Sequence, residues 1–228
     1  MFNHALYEKI PKLERFDTPL GRYYKTPSGV FLPSVTTVIS QQSDNSWVDK
    51  WKARIGIEEA EKIRIQAGNR GTAVHNIMES YLLNDSHWKK KALPTNLYTF
   101  LDIKPILDSH VATVYGVEYG IYSEEDNIAG TIDGIVDWDG VMTILDLKTS
   151  KRPKELKDIP HYIVQAVAYA NVFNATHDTN IEQIAIVMSV DHQKPRVFIC
   201  NMEEYAELFY DVFINRDRLN LKELPKGN

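Results

Sequence analysis

Only one cysteine, Cys200, occurs among the 228 residues, so the chain cannot close an internal disulfide, build a four-cysteine zinc site or hold an iron–sulfur cluster. Its place in the apolar run from Arg196 to Cys200 predicts a buried thiol and reducing, intracellular surroundings. No segment approaches the roughly eighteen apolar residues of a membrane span. The N-terminal stretch shows neither a secretory hydrophobic run nor the Arg-rich, acid-poor pattern of a transit peptide. The expectation is a soluble, untargeted, cytoplasmic protein with no membrane partner. Net positive charge is missing too: 26 Lys and Arg stand against 31 Asp and Glu, for a formal charge of −5. The molecule as a whole does not attract a polyanion, and a nucleic-acid role needs local basic patches or metal ions. Internal repeats, low-complexity tracts and a Gly-rich phosphate loop ending in Gly-Lys-Ser/Thr are absent, which argues against a repeat array and favours a stand-alone protein over one fused to a nucleotide-driven motor.

What remains is a globular composition, 43% hydrophobic and 25% charged, in a chain long enough to build a core without staples. Tyr23-Tyr24-Lys25-Thr26 reads as extended, Pro27-Ser28-Gly29 as a turn and Val30-Phe31-Leu32 as a returning strand. Ser34 is placed as the N-cap of a helix through Val35, Val38 and Ile39. A second helix is predicted over Ser46 to Gln66 and a third over Gly71 to Leu83, where Val74, Ile77, Met78, Tyr81 and Leu82 recur at helical steps. A helix over Thr95 to His110 is expected to kink or break at Pro105. Strands follow at Thr113 to Ser123, Ile128 to Trp138 and Val141 to Thr149. Then come a helix from Pro160 to about Phe173, strands at Gln183 to Val190 and Arg196 to Cys200, and an amphipathic helix from Glu203 to Arg218.

The hairpin Ile128 to Thr149 carries the chemistry. Asp139-Gly140 is a strong two-residue turn signal, because both central positions of a type I′ turn need positive φ. If those two residues form the loop, Asp133 lies across from Asp146, and directly opposed Cβ atoms are ~4.5–5.5 Å apart. Side chains alternate along a strand, so Lys148 shares the Asp146 face while Leu145 and Leu147 point the other way. Two facing carboxylates repel, and a divalent cation such as Mg²⁺ relieves that repulsion while keeping positions for phosphate oxygens. Lys148 would orient or deprotonate an attacking water, or neutralise phosphate charge, and the set suggests phosphodiester hydrolysis. Each piece has a plainer reading alone: Asp-x-Lys as a solvated strand edge, His75 with Glu79 and Gln165 with Tyr169 as ordinary i, i+4 pairs. Asp137, on the same face, has no assigned role.

Taken in order, Gly71-Thr72-Ala73-Val74-His75 with Glu79, then Glu118, Ala129-Gly130-Thr131-Ile132-Asp133, Asp146-Leu147-Lys148-Thr149-Ser150, and Gln165 with Tyr169 resemble the RecB-like branch of the PD-(D/E)XK nuclease superfamily. Upstream, Leu32-Pro33-Ser34-Val35-Thr36-Thr37-Val38, Trp51 and Arg70-Gly71-Thr72 look like the N-terminal region of the mitochondrial genome maintenance exonucleases and their phage relatives. The resemblance implies an α/β restriction-endonuclease-like core, a central mixed sheet flanked by helices, over residues 71–228. A helical N-terminal elaboration over residues 1–70 would contribute to DNA binding. It gives His75, Asp133, Asp146 and the Leu147 carbonyl to Mg²⁺ or Mn²⁺, Lys148 to catalysis and Glu118 to support of the metal or its water. Gln165 and Tyr169 would steady the lysine region or the DNA backbone, and Arg70, Thr149, Ser34 and Trp51 join them on the substrate side. No iron–sulfur cluster is expected, since its four cysteines are missing.

The implied activity is a DNA exonuclease acting on single strands or single-stranded ends, in replication, recombination or repair. An endonuclease with the same site and an inactive DNA-binding scaffold are the alternatives. Two basic runs, Lys148, Lys151, Arg152, Lys154 and Lys157, and Lys50, Lys52, Arg54, Arg64 and Arg70, suit phosphates. Tyr24, Phe31, Trp47, Trp51 and Trp88 are the aromatics able to stack on unpaired bases, against the plainer reading of core residues and solvated lysines.

Overall fold

A two-residue strand, β1 (Asn3–His4), opens the computed structural model, which describes residues 1–10, 12–43, 46–90 and 92–215. A small antiparallel sheet follows, made of β2 (Glu14–Thr18), β3 (Gly21–Lys25) and β4 (Phe31–Pro33). Ser34 then caps α1 (Val35–Gln42): its hydroxyl accepts the Thr37 N–H at 3.0 Å, and Val35, Val38 and Ile39 turn inward.

The next helices divide differently from the expectation. α2 (Ser46–Ile55) stops at Gly56, and α3 (Ile57–Leu82) runs unbroken to the end of the histidine segment. Gly56 has φ +91°, a conformation that glycine alone adopts without penalty. Gly68 and Gly71 face open space inside α3, so each costs only about 1 kcal/mol of helix propensity and breaks nothing. Residues 70 and 71 are therefore consecutive within one helix. α4 (Pro94–His110) passes through Pro105 without interruption, held by the buried side chains of Phe100, Ile103 and Leu107.

The main sheet has the order β1-β5-β6-β7-β8-β9, with β5 (Val111–Ser123), β6 (Ile128–Trp138), β7 (Val141–Ser150), β8 (Gln183–Val190) and β9 (Arg196–Asn201). β1 pairs with β5, and β7 with β8, in parallel; the other neighbours are antiparallel. α5 (Pro160–His177) supplies the crossover between the parallel strands β7 and β8, as parallel pairing requires. It outlasts its expected end at Phe173 because His177 stacks on Phe173 with ring centroids 4.1 Å apart and meets the Tyr119 hydroxyl at 2.9 Å.

Helices cover both faces. One core joins α1 and α5 to Ile144, Ile184, Ile186 and Met188 of the sheet; the other joins α3 and α4 to Leu145, Leu147, Ala185 and Val187. The alternation along β7 and β8 is the period-2 pattern of a sheet buried on both sides. Cys200 is buried, as expected. The segment expected as one helix from Glu203 is instead a 3₁₀ turn (Met202–Tyr205), a short helix α6 (Ala206–Phe209) and a π turn (Tyr210–Ile214), and positions 216–218 of that expectation lie outside the described residues. Among the described residues, no helix is long and apolar enough to cross a membrane.

Candidate active site

The turn that sets the site forms as the sequence requires. Asp139 and Gly140 have φ +53° and +87°, and the ladder from Trp138–Val141 to Gly134–Leu145 keeps the two-residue register. It ends one step before Asp133 and Asp146. Beyond that point β6 stays paired with β5, and β7 with β8, but β6 and β7 no longer pair with each other. Asp133 occupies the parting. Its Oδ2 accepts the Leu147 N–H at 2.8 Å, so a carboxylate takes a main-chain donor that a strand would otherwise satisfy.

His75 reaches the same place from α3. Its Nδ1 lies 3.2 Å from Asp133 Oδ1 and its Nε2 lies 3.0 Å from the Leu147 carbonyl oxygen. Both ring nitrogens face acceptors, an arrangement that favours the doubly protonated ring. Burial pulls the His75 pKa down, but the Asp133 carboxylate outweighs it and the net direction is up. Burial likewise opposes ionisation of Asp133, and the His75 charge, its hydrogen bond and Lys148 hold that carboxyl below its ordinary value.

Glu118 completes the group. It lies between the pairs Val117–Gly134 and Tyr119–Ile132, facing Asp133 across the ladder, with φ +45°. A non-glycine residue with positive φ inside a strand stores strain of about 1–3 kcal/mol, which persists only when its surroundings enforce it. Burial and the neighbouring Asp133 charge push its pKa up to about 7, against a smaller pull from His75. One ligand atom each of His75, Glu118 and Asp133 lies within 4.8 Å of the others.

Asp146 belongs to a neighbouring pair. Lys148 Nζ donates to Asp146 Oδ1 at 2.8 Å and lies 2.7 Å from Oδ2, yet Oδ2 has no aligned hydrogen-bond donor. Burial pushes the Asp146 carboxyl up despite the ammonium beside it. Burial also disfavours the Lys148 charge, but Asp146 and Asp133 override it and hold Lys148 above the usual lysine value. Lys148 is thus an ammonium at neutral pH. Its Nζ is 3.4 Å from Gln165 Oε1, and the Gln165 amide donates to the Tyr169 hydroxyl at 3.0 Å. Tyr169 is buried, so it supports Gln165 from behind. A Cβ at Gly130 would come within 2.6 Å of Tyr169 Cε1, which is why the Ala129-Gly130-Thr131 motif needs a glycine there.

Of the twelve site residues named from sequence, the structure draws His75, Glu118, Asp133, Asp146, Leu147, Lys148, Gln165 and Tyr169 into one connected set. Thr149 sits next to it on β7, half-buried and paired with Ser189. The other three are engaged or placed elsewhere. The Ser34 hydroxyl is spent on capping α1 and on Thr36 and Thr37, and is buried. Arg70 forms a two-pronged ion pair with Asp191 and a bond to Thr99, so its guanidinium ties α3 to the end of β8 rather than presenting itself to a phosphate. Trp51 is half-buried on α2, outside the connected set. Sequence reasoning missed Tyr162, whose ring centroid is 5.0 Å from Lys148 Nζ. Its position three residues before Gln165 on a helix was the available signal.

A buried carboxylate oxygen short of a donor, two further acids and an imidazole at ligand spacing are a donor set that fits a divalent cation with oxygen and nitrogen ligands. Fold and side chains together define an α/β protein with a cation-ready acidic centre and an adjoining lysine. No family model matches the chain. Over 157 residues, 65% of this chain, it is 27% identical to mitochondrial genome maintenance exonuclease 1 of Homo sapiens and covers 45% of that protein. The same protein of Xenopus tropicalis is 24% identical over 157 residues, 65% of this chain and 44% of the relative. The match thus spans less than half the length of these relatives. Among solved structures, a candidate exonuclease from Eubacterium rectale superposes with a TM-score of 0.42 at 14% identity, over 61% of this chain and 63% of that one.

Proposed function

We propose that the protein is a metal-dependent nuclease of the PD-(D/E)XK class, in its RecB-like branch. It hydrolyses phosphodiester bonds of DNA, working from the ends of single strands, in replication, recombination or repair. The observation that carries this reading is the joint placement of His75, Glu118 and Asp133 at ligand spacing beside the buried Asp146–Lys148 pair. The sequence similarity to proteins named as exonucleases supports it.

His75, Asp133 and Glu118 would hold Mg²⁺ or Mn²⁺, with Asp146 and the Leu147 carbonyl as further donors once His75 gives up a ring proton and turns from Leu147. A divalent cation bound there supplies charge neutralisation at a phosphate and a lowered pKa for a coordinated water. The remaining work falls to the chain. Lys148, kept charged by its acidic neighbours, places an ammonium where negative charge grows on the phosphate and orients the attacking water. Gln165 fixes the lysine head, and Tyr169 fixes Gln165. The N-terminal residues 1–70 contribute to DNA binding through the basic flank of α2.

The test is a time course on end-labelled single-stranded, double-stranded and circular single-stranded DNA, with Mg²⁺, with Mn²⁺ and with EDTA. Stepwise loss from linear single strands in the presence of metal, with circles intact and Asp133→Asn inactive, is expected. Circles cut as fast as linear strands would remove the end-directed part, and digestion in EDTA would remove the metal.

A further inference from the structure

Beside Gln165, a cavity of about 510 Å³ opens between α1, α2, α5 and the C-terminal turns. Its volume falls in the range of about 300–1,000 Å³ usual for small-molecule sites. Ile39, Leu208 and Val212 give it an apolar floor, and three ring systems border it: Trp47, His161 and Tyr162. Trp47 is 64% exposed on a helix that has no buried residue, so its indole is not there to fill a core. His161 and Tyr162 form a tilted ring pair with centroids 4.1 Å apart. Burial, with Lys154 and Lys148 nearby, lowers the His161 pKa to about 4, so at neutral pH its ring offers one donor and one acceptor and no charge.

The cavity shares two side chains with the surroundings of Lys148. Tyr162 lines it and also lies under both Lys148 Nζ at 5.0 Å and Lys154 Nζ at 4.9 Å from the ring centroid. Gln165 lines it and contacts Lys148. A flat, apolar, hydrogen-bonding occupant packed on Tyr162 would share that ring with two ammonium groups suited to phosphate. A nucleotide has that combination of parts, and its base is available to a pocket only when unpaired.

We propose that this cavity seats the unpaired nucleobase of the nucleotide beside the bond to be cleaved, between Trp47 and the His161–Tyr162 pair. The proposal rests on the nuclease reading and deepens it, because a duplex cannot fill the seat without releasing a base. Tyr162 would then join base recognition to the placement of Lys148.

The test uses the full chain in EDTA, so that binding is read without cleavage. Fluorescence anisotropy is measured with short single-stranded oligonucleotides, intact or carrying one abasic nucleotide at each position in turn. One abasic position is expected to weaken binding about five- to 150-fold, the span of one base–aromatic stack. Trp47→Ala should weaken binding of the intact strand by a similar factor and erase the penalty at that position. Binding indifferent to every abasic position, or a positional penalty that survives Trp47→Ala, assigns the cavity to another occupant and overturns the proposal. Base-dependent binding with no cleavage of any strand in Mg²⁺ would instead sink the nuclease reading and leave the base seat standing.

Discussion

Replacing Lys148 with methionine removes the ammonium and keeps most of the stem's volume, so the cost it exposes is that of leaving Asp146 alone. The Asp146 side chain is 2% exposed and that of Lys148 17%, so water screens the pair little. Removing one partner of such a pair costs about 3–5 kcal/mol. We take the lower end, about 3 kcal/mol, because Asp146 can escape by binding a proton. For a chain of this length that is a loss of roughly 6–12 °C in Tm. The escape sets the pH dependence. Burial already holds the Asp146 carboxyl above its unfolded value, and loss of Lys148 raises it further. A carboxyl with a raised folded pKa stabilises the fold at low pH and ceases to as pH climbs through that value. The deficit of Lys148→Met should therefore be small near pH 5 and reach its full size near pH 8. Thermal unfolding followed by far-UV circular dichroism, in EDTA at both pH values, measures it for the wild type, Lys148→Met, Asp146→Asn and the double variant. The double variant should recover about 2 kcal/mol relative to the sum of the singles. A deficit equal at both pH values, or strictly additive singles, would refute the buried-pair reasoning.

Three further outcomes follow from individual contacts. Gly130→Ala puts a methyl group into the Tyr169 ring, 2.6 Å from Cε1, and should cost about 1–3 kcal/mol, read as a lower urea midpoint; an unchanged midpoint contradicts the contact. Glu118→Gly removes a strained backbone position and a half-buried acid, so in EDTA it should gain about 1 kcal/mol of stability, while calorimetric Mn²⁺ affinity drops at least about tenfold; a loss of stability would refute the strain. His161, with its pKa lowered to about 4, contributes stability at neutral pH that drains away as pH falls from about 6.5 towards 4, because the unfolded chain takes up the proton first. His161→Gln should flatten that part of the acid-unfolding curve, and an identical curve for the variant would exclude the effect.

Local rules made much of the site legible. The Asp139-Gly140 turn follows from the positive φ it demands, and with the turn comes the register of the ladder, which ends at Gly134–Leu145, one step short of the Asp133–Asp146 pairing expected from sequence. Alternation along β7 correctly separated Asp146 and Lys148 from Leu145 and Leu147. The N-cap at Ser34 was equally plain, because capping is decided within four residues. Where a break had to be chosen among several glycines, sequence put it after Gln66 instead of at Gly56, since the spacing of apolar residues does not reveal which glycine adopts positive φ.

Three-dimensional placement decided the rest. Arg70 and Asp191 are 121 residues apart, and no pattern in the chain announces that this arginine is already paired. The division of the acids is of the same kind: the ladder ends at Gly134–Leu145, Asp133 turns to the Leu147 N–H and His75, and Asp146 stays with Lys148. Sequence by itself determined the hairpin, its turn and the shared face of Asp146 and Lys148, because turn geometry and strand alternation act over a few residues. The parting of β6 from β7, the strain at Glu118 and the cavity beside Tyr162 came only from tertiary structure, because each depends on which distant side chains compete for the same buried space.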